Sequence, residues 1–208
     1  MPRDGNVTRE KILETAMGLA ISQGHVATPI DEVIAAVGIT KGTFFYHFPS
    51  KKHLAIAMID KFSNKKIAIL NRFMAQAEAD NKDVLQQLMQ FISLVQDQHA
   101  QLNREEIGCL YASYCYENQL VDEQVQTTVA ETMAAWQDKL SQKLQQVVAD
   151  YPPVLTIDID KVAGMFLTAL EGAYIMARIT PEHNAVEVYL EQYKQYLQAL
   201  FNPGAAQA

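Results

Sequence analysis

Residues 40–51, with the sequence TKGTFFYHFPSK, hold the side chains whose types and spacing could do chemistry. Lysine, threonine, tyrosine and histidine can donate hydrogen bonds to phosphate oxygens and base edges, and Gly42 allows a close backbone approach. The sequence shows no nucleophile elbow, paired-carboxylate motif, phosphate loop or metal-ligand spacing. The stretch therefore indicates recognition of a polyanion, and we predict no catalytic residue, no metal site and no cofactor.

Two short helices must position these residues. Residues 31–37 carry an apolar face, Gly38-Ile39-Thr40 forms a turn, and the second helix runs from Lys41 to His47. A three- or four-residue turn that contains glycine, between helices that cross steeply, is typical of a DNA-binding helix-turn-helix. Phe44 and Phe48 lie four residues apart, so we expect both to face the core while the polar residues face the major groove.

Every periodic segment of the chain predicts a helix, and no strand or internal repeat is indicated. We predict an all-α protein with about nine helices, at about residues 8–22, 29–37, 41–47, 50–77, 83–99, 108–118, 122–150, 158–179 and 181–201. Thr8, Thr28 and Thr40 are predicted N-caps, with Pro29 in the first helical position and Asp31 closing a capping box.

Composition and charge fit a soluble protein. Hydrophobic residues make up 49% and charged residues 20% of the 208 residues. The N-terminus has no apolar run, and the longest apolar stretch, 162–177, is interrupted by Glu171, so we expect a cytoplasmic protein with no membrane span. Residues 1–66 carry nine Lys/Arg and six Asp/Glu, whereas residues 67–208 carry eight and eighteen. A mildly basic head on an acidic body can still bind phosphates locally.

The two cysteines, Cys109 and Cys115, are predicted to share one helix. Six residues of helix would separate their Cα atoms by roughly 9–10 Å, which exceeds the reach of a disulfide. Reduced thiols are therefore expected, as is usual in a cytoplasm.

The segments TREKILETA in the first helix, Thr28, and VGITKGTFFYHFPSK together resemble TetR-type transcriptional repressors of the TetR/AcrR family. The match covers roughly the first 60 residues, with the turn, the aromatic cluster and Pro-Ser-Lys in the same order and spacing. The family usually has tyrosine where this chain has Phe45. Phenylalanine lacks the hydroxyl that would bond a phosphate, so we expect Phe45 only to pack on sugars. The DNA-binding residues that the resemblance and the helix geometry imply are Thr28, Thr40, Lys41, Gly42, Thr43, Phe45, Tyr46, His47 and Lys51.

The resemblance also implies a division of the chain. We expect a helix-turn-helix DNA-binding domain at residues 1–49, a connecting helix at 50–70, a ligand-binding and dimerisation domain at 71–201 and a disordered tail at 202–208. Small residues on the eighth helix and an apolar stripe on the ninth suit a homodimeric four-helix bundle, although both stripes also suit the core of the body. The predicted interface residues are Gly164, Leu167, Gly172, Ile175, Val186, Tyr189, Leu190, Tyr193 and Leu197.

Aromatic residues with polar tips and an adaptable methionine in the body would suit a small, mostly apolar effector, but each of them would also suit core packing. The predicted effector-binding residues are Phe91, Val95, Cys109, Tyr111, Tyr114, Met133, Trp136, Phe166, Leu170 and Tyr174. Gly108-Cys109-Leu110 resembles a Gly-Cys start to the sixth helix in a subset of the family, and some family members sense oxidants or electrophiles through a cysteine. A thiol at a helix N-terminus can be reactive, whereas a buried thiol is inert.

The expected function is thus that of a regulator, and not of an enzyme. We expect a homodimer that binds a palindromic operator in double-stranded DNA and leaves it when a small-molecule effector binds. A cysteine-based sensor remains an alternative, as does an all-α enzyme or an adaptor that uses the body's cavity. The sequence leaves open whether the regulator represses or activates, which effector it binds and which operator it reads.

Overall fold

The computed structural model describes residues 5–103, 106–115, 123–180 and 184–201. Within those ranges every regular element is an α-helix, which confirms the predicted all-α class. The helices are α1 (Gly5–Gln23), α2 (Ile30–Val37), α3 (Lys41–His47), α4 (Lys51–Asp80), α5 (Val84–Ala100), α6 (Ala112–Cys115), α7 (Glu123–Asp150), α8 (Ile159–Ile179) and α9 (Ala185–Phe201).

Two of the three predicted N-caps are wrong. Helix α1 begins at Gly5, so Thr8 lies inside its first turn. Helix α2 begins after Pro29 and has no side-chain cap, and with no capping box the predicted role of Asp31 also fails. The hydroxyl of Thr28 instead donates to the carbonyl of Gly24 at 2.8 Å, because the turn after α1 folds back on itself. The third cap is confirmed: the Thr40 hydroxyl accepts from the backbone N–H of Thr43.

The predicted sixth helix is wrong at its start. It was expected from residue 108, but α6 covers only Ala112–Cys115, and Gly108 and Cys109 lie in the irregular segment before it. Cys109 is therefore neither at a helix N-terminus nor on a helix with Cys115. The predicted end of this helix, the predicted helix start at Pro181 and the tail 202–208 lie outside the described residues, as does the side chain of Cys115.

The chain forms two compact units. The first comprises Met1–Lys65 and Gly108–Glu131. Its helix-turn-helix depends on Gly38, whose φ of 74° lies in the left-handed region, so its backbone N–H can bond the carbonyls of Ala35 and Ile34 and end α2. Buried apolar side chains from α1 to α4 fill this unit, among them Ile12, Leu13, Ala16, Val33, Phe44, Phe48, Met58 and Ile59.

The second unit comprises Lys66–Ile107 and Thr132–Ala208. Helix α9 packs against α8 and α5. Helix α8 has the length and composition of a membrane-spanning helix, with a mean hydropathy of 1.3 over its most apolar window, a test that the core helix of a soluble protein also passes. Seven α8 side chains lie in the core of this unit, as expected for a helix of that kind.

Candidate nucleic-acid interface

Helix α3 is fixed in the first unit by Phe44 and by Phe48, the residue that follows the helix. Phe44 is 0% and Phe48 2% exposed, and their ring centroids lie 6.1 Å apart, as expected from their spacing. The guanidinium of Arg9 on α1 lies 5.1 Å from the centre of the Phe48 ring, within the range of a cation–π contact. One face of this seven-residue helix is thus anchored in the core, and this anchoring fixes the orientation of its outward face.

The outward face of α3 carries the residues predicted to contact DNA. Tyr46 is 82% exposed and Phe45 40% exposed. Lys41 is also exposed, and its ammonium lies 3.2 Å from a carboxylate oxygen of Asp31 on α2. His47 is half-buried, with its ring edge-on to that of Tyr46. These side chains combine hydrogen-bond donors with flat apolar surface, which is the chemistry that base edges and sugars require.

Gly42 occupies open space on this face. A Cβ built at Gly42 would meet only the Thr40 hydroxyl, at 3.9 Å, an ordinary van der Waals distance. The hydroxyls of Thr40 and Thr43 bond each other at 2.9 Å beside it. The fold itself therefore does not require glycine at this position, and a reason for it must come from what approaches the helix.

Lys51, the first residue of α4, is oriented by the turn between α1 and α2. Its ammonium donates to the main-chain carbonyl of His25 at 2.9 Å. The ring of His25 is buried, and burial, followed by the charge of Lys51, lowers the pKa of His25 to about 4. The imidazole is consequently neutral near pH 7, so Lys51 and not His25 carries a positive charge in this contact.

Two more lysines of the first unit serve internal contacts. The ammonium of Lys11 donates to the carbonyl of Val37 at 3.0 Å, so a positive charge lies at the C-terminal end of α2. Lys61 on α4 pairs with Glu10 and Glu14 on α1, and the hydrogen bond from Lys61 lowers the pKa of Glu10. Some of the basic residues in this region therefore form contacts between helices.

Thr28 differs from the other predicted DNA-binding residues. It is 5% exposed, and its hydroxyl is directed to Gly24 within the turn. Gln23, which the sequence analysis did not single out, also bonds this turn through the carbonyl of Ala27 at 2.9 Å and the carboxylate of Glu32 at 2.8 Å. His25 was missed as well, because its role depends on a main-chain carbonyl and a buried ring, which no spacing pattern reveals.

The ten predicted effector-binding residues divide between the two units. Cys109, Tyr111 and Tyr114 belong to the first, and all three are buried there. The remaining seven belong to the second unit: Phe91, Val95, Met133, Trp136, Phe166, Leu170 and Tyr174. A groove of about 660 Å³ in the first unit, between α1, α4 and the start of α7, is lined by none of the ten.

An aromatic cluster in the second unit unites three of the predicted residues. The Trp136 and Phe166 rings are nearly parallel, at 9° with centroids 6.2 Å apart, and Phe91 lies 5.8 Å from Phe166. Tyr193 joins the cluster from α9, at 5.9 Å from Phe166. The Tyr193 hydroxyl donates to the carbonyl of Val162 at 2.9 Å, and burial raises the pKa of Tyr193. All four side chains are buried.

Tyr174 belongs to a polar cluster. Its hydroxyl lies 2.7 Å from Nε2 of His99, whose Nδ1 lies 2.7 Å from the carbonyl of Val95 on the same helix. The ammonium of Lys66 donates to the Tyr174 hydroxyl at 3.4 Å. Burial lowers the pKa of His99 to about 4, so the ring is neutral. A neutral ring that donates Nδ1–H to the carbonyl accepts from Tyr174 through Nε2.

Four of the nine predicted interface residues are buried within their own unit: Val186, Leu190, Tyr193 and Leu197. A side chain that is buried in its own chain has little surface left for a partner. The apolar surface that remains comprises Met165, Ile175 and Ile179 on α8 with Val188 and Tyr189 on α9. A Cβ at Gly172, between these α8 residues, would meet nothing within 4 Å. Gly164 and Leu167 are half-buried.

Cys109 is a buried thiol in irregular backbone, so the physical reason for expecting a reactive cysteine does not hold. Among the described residues no group of three or more His, Cys, Asp or Glu side chains could hold a metal ion.

Comparison with known proteins agrees with this geometry. A family model for bacterial regulatory proteins of the tetR family matches residues 12–58. A second model, for the C-terminal domain of LmrA/YxaF-like transcriptional regulators, matches residues 84–192. Together the two matches include the helix-turn-helix and most of the second unit.

Individual relatives are more distant. An HTH-type transcriptional regulator from the lacX 3′ region of Lactococcus lactis is 24% identical over 86% of this chain and 88% of its own length. The HTH-type regulator YxaF of Bacillus subtilis is 28% identical over 67% of this chain and 71% of its own length. A TetR-family regulator of Agrobacterium tumefaciens has the same fold, with a TM-score of 0.79 at 22% identity over 93% of this chain and 98% of its own.

Proposed function

This chain belongs to the TetR family of bacterial regulatory proteins, and from that premise we propose that it is a homodimeric transcriptional repressor released from its operator by a small effector. The observation that carries the DNA-binding part is α3, which is anchored by buried Phe44 and by Phe48 just after it, while Lys41 and Tyr46 face outward. Like others of its family, the protein acts in the cytoplasm and is not an enzyme.

Two α3 helices are needed for a palindromic operator. In a dimer with two-fold symmetry they enter successive major grooves, roughly 34–36 Å apart. The exposed apolar residues of α8 and α9 are the surface on which we place the second copy. Binding of both half-sites then depends on the distance between the heads, so a change in that distance weakens binding to the whole operator.

The DNA-binding proposal is tested by selecting bound sequences from a random DNA pool. The expected product is a palindrome whose half-sites lie about one helical turn apart. Tyr46→Ala should weaken binding to that product about tenfold or more, since stacking or base contacts are worth about 1–3 kcal/mol each. Leu155→Ala, at an exposed apolar position of the second unit, is the matched control and should bind as the parent protein does. Selection without sequence enrichment would contradict the proposal.

The dimer is tested at Gly172. Gly172→Leu meets open space within the chain and should fold, but it places a side chain where the second copy would approach. Sedimentation should then show a monomer at concentrations where the parent protein is a dimer. Gly18→Leu is the control, because a Cβ at Gly18 on α1 also meets nothing within 4 Å. Equal dimerisation of both variants would place the interface elsewhere.

We place a small, mostly apolar effector in the second unit, and the aromatic residues of that unit support this part of the proposal. Trp136 is the sole tryptophan of the chain, so its fluorescence reports on the second unit alone. A screen of small apolar molecules should find one that both changes this fluorescence and releases the selected operator. The coupling required is typically about 1–3 kcal/mol. A ligand that saturates the fluorescence change without any effect on operator affinity would exclude this mechanism for that ligand.

A further inference from the structure

A short segment of the first unit, residues 108–115, carries two tyrosines that bond different parts of that unit. The Tyr111 hydroxyl and the Ser63 hydroxyl on α4 lie 2.7 Å apart. The Tyr114 hydroxyl lies 2.9 Å from Nδ1 of His25, in the turn between α1 and α2. The rings of Tyr114 and His25 are also stacked, with centroids 4.4 Å apart. One tyrosine therefore contacts α4, and the other contacts the turn before α2.

The main-chain carbonyl of His25 accepts two hydrogen bonds in addition to the contacts of the ring. It accepts from the ammonium of Lys51 at 2.9 Å and from the backbone N–H of Thr28 at 3.2 Å. The residue whose ring is held by Tyr114 is therefore the residue whose carbonyl orients Lys51. Both rings are buried, so the contact is a fixed part of the unit and not a surface encounter.

Orientation matters for a lysine because its side chain is long and flexible. Immobilising such a side chain costs rotamer entropy. A lysine that is already oriented by a hydrogen bond has less freedom to lose on binding, and an ammonium carries several N–H donors. At the first residue of α4, Lys51 adds its charge to the N–H groups of the helix N-terminus.

We propose that Tyr114 and His25 are positioning residues for DNA binding, which hold Lys51 where it can meet a DNA phosphate. The inference rests on the DNA binding of the proposed function and adds to it that Lys51 meets a phosphate. It deepens that function, because any event that displaces Tyr114 loosens the His25 carbonyl and so weakens DNA binding through one identified cation. Residues 108–115 then regulate the interface by holding or releasing Lys51.

A double-mutant cycle tests this link. Tyr114→Phe removes the hydroxyl and keeps the ring, and Lys51→Gln removes the charge. Each variant and the double variant are titrated, as full-length protein, with the selected operator and with a random-sequence duplex over a series of salt concentrations. Lys51→Gln should reduce the salt slope by about one unit. Tyr114→Phe should weaken binding severalfold in the parent background and hardly at all in the Lys51→Gln background.

Tyr111→Phe is the matched control. It removes one buried tyrosine hydroxyl from the same segment, but that hydroxyl bonds Ser63 and not His25. Its effect on DNA affinity should therefore be equal with and without Lys51. His25→Gln provides a second route to the same answer, because it removes the stacked ring and retains the carbonyl; it too should lose its effect when Lys51 is absent.

The outcomes separate the two proposals. Additive effects of Tyr114→Phe and Lys51→Gln, like those of the control, would overturn the positioning role and leave the repressor proposal intact. An unchanged salt slope for Lys51→Gln would overturn it as well, because Lys51 would then meet no phosphate. Failure of the repressor proposal has a different signature, namely that no sequence is enriched from the random pool.

Discussion

Two buried histidine–tyrosine pairs, one in each compact unit, have similar chemistry and different surroundings. His25 and Tyr114 bond at 2.9 Å, and His99 and Tyr174 bond at 2.7 Å. Burial lowers the pKa of both histidines to about 4. A lysine accompanies each pair, but Lys51 donates to the main-chain carbonyl of its histidine, whereas Lys66 donates to the hydroxyl of its tyrosine.

The difference lies in what each pair holds in place. In the first unit the pair fixes a turn, and the turn orients a lysine at the start of α4 that we expect to meet DNA. In the second unit Nδ1 of the histidine bonds the carbonyl of Val95 on its own helix, and the tyrosine links α5 to α8. Similar hydrogen bonds thus support the proposed DNA-binding surface in the first unit and helix packing in the second. Loss of the first should weaken DNA binding, whereas loss of the second should lower only the free energy of unfolding.

Acidification should weaken both pairs and has the largest expected effect. Each histidine is neutral in the folded protein down to about pH 4, whereas in the unfolded chain it takes up a proton below about pH 6.5. Stability is therefore fully present above pH 6.5 and falls as the pH drops toward 4. The expected slope approaches about 1.4 kcal/mol per pH unit for each histidine.

Urea unfolding at pH values from 7 to 5 measures this slope. His99→Gln should be less stable than the parent at pH 7 and should lose less stability on acidification. The groups that face the His99 ring are the Tyr174 hydroxyl and the ammonium of Lys66, and neither titrates in this range in the unfolded chain. An unchanged slope in His99→Gln would show that His99 is not neutral in the folded protein.

Tyr174→Phe should separate stability from DNA binding. It leaves Nε2 of His99 buried without its donor, which costs about 1–3 kcal/mol of unfolding free energy. Operator affinity, measured well below the unfolding transition, should stay as in the parent. Tyr114→Phe should cost a similar free energy of unfolding and also weaken operator binding. If both variants affected DNA binding equally, the distinction between the two pairs would not hold.

Gly42→Ala should show the reverse separation, because it should weaken DNA binding without destabilising the fold. The new methyl meets nothing closer than 3.9 Å in the fold, so the variant should be more stable by about 0.4–1 kcal/mol, as expected for glycine replaced within a helix. If the α3 backbone approaches DNA closely, operator affinity should fall about tenfold. Thermal unfolding and operator titration check the two parts. Unaltered affinity would mean that α3 leaves room for a side chain at this position.

Asp31→Asn has the smallest expected effect. It removes the exposed ion pair with Lys41, worth about 0.2–1 kcal/mol, and a negative charge near the DNA-binding face. Stability should hardly change, while affinity for DNA should rise about two- to fivefold at low salt and less at high salt. Titrations of a random-sequence duplex at two salt concentrations check this. Glu106→Gln, at an exposed acidic residue outside the helix-turn-helix, is the charge control.

Local sequence signals predicted local structure well. The glycine at residue 38, the cap at Thr40 and the four-residue spacing of Phe44 and Phe48 each act within one or two turns of helix, so the sequence alone carries them. The prolines after Tyr151 likewise ended the predicted helix where α7 ends, at Asp150. Thr28 shows the limit: it has the features of a cap, but the turn after α1 gives its hydroxyl a better partner in Gly24.

The roles of buried residues are harder to predict than local structure, because an apolar stripe on a helix does not reveal what covers it. Val186, Leu190, Tyr193 and Leu197 form such a stripe, and α9 turns it toward its own unit. Other residues of the same helix pair, such as Ile179 and Tyr189, remain exposed. The predicted start of the sixth helix is also wrong, because Gly108 and Cys109 adopt an irregular backbone conformation instead of a helical one.

The sequence by itself determined the helical class, the helix-turn-helix and the residues on its outward face, because periodicity, turns and caps depend on neighbours a few residues away. The tertiary structure decided which polar groups are joined across the chain: Tyr114 with His25 from residues 89 positions away, and Tyr174 with His99 from 75 positions away. Such contacts depend on how helices pack, and packing brings together residues whose separation along the chain carries no signal. The stretch 40–51 thus predicts the surface that we propose reads DNA, and the fold supplies the hydrogen bond from Lys51 to the His25 carbonyl.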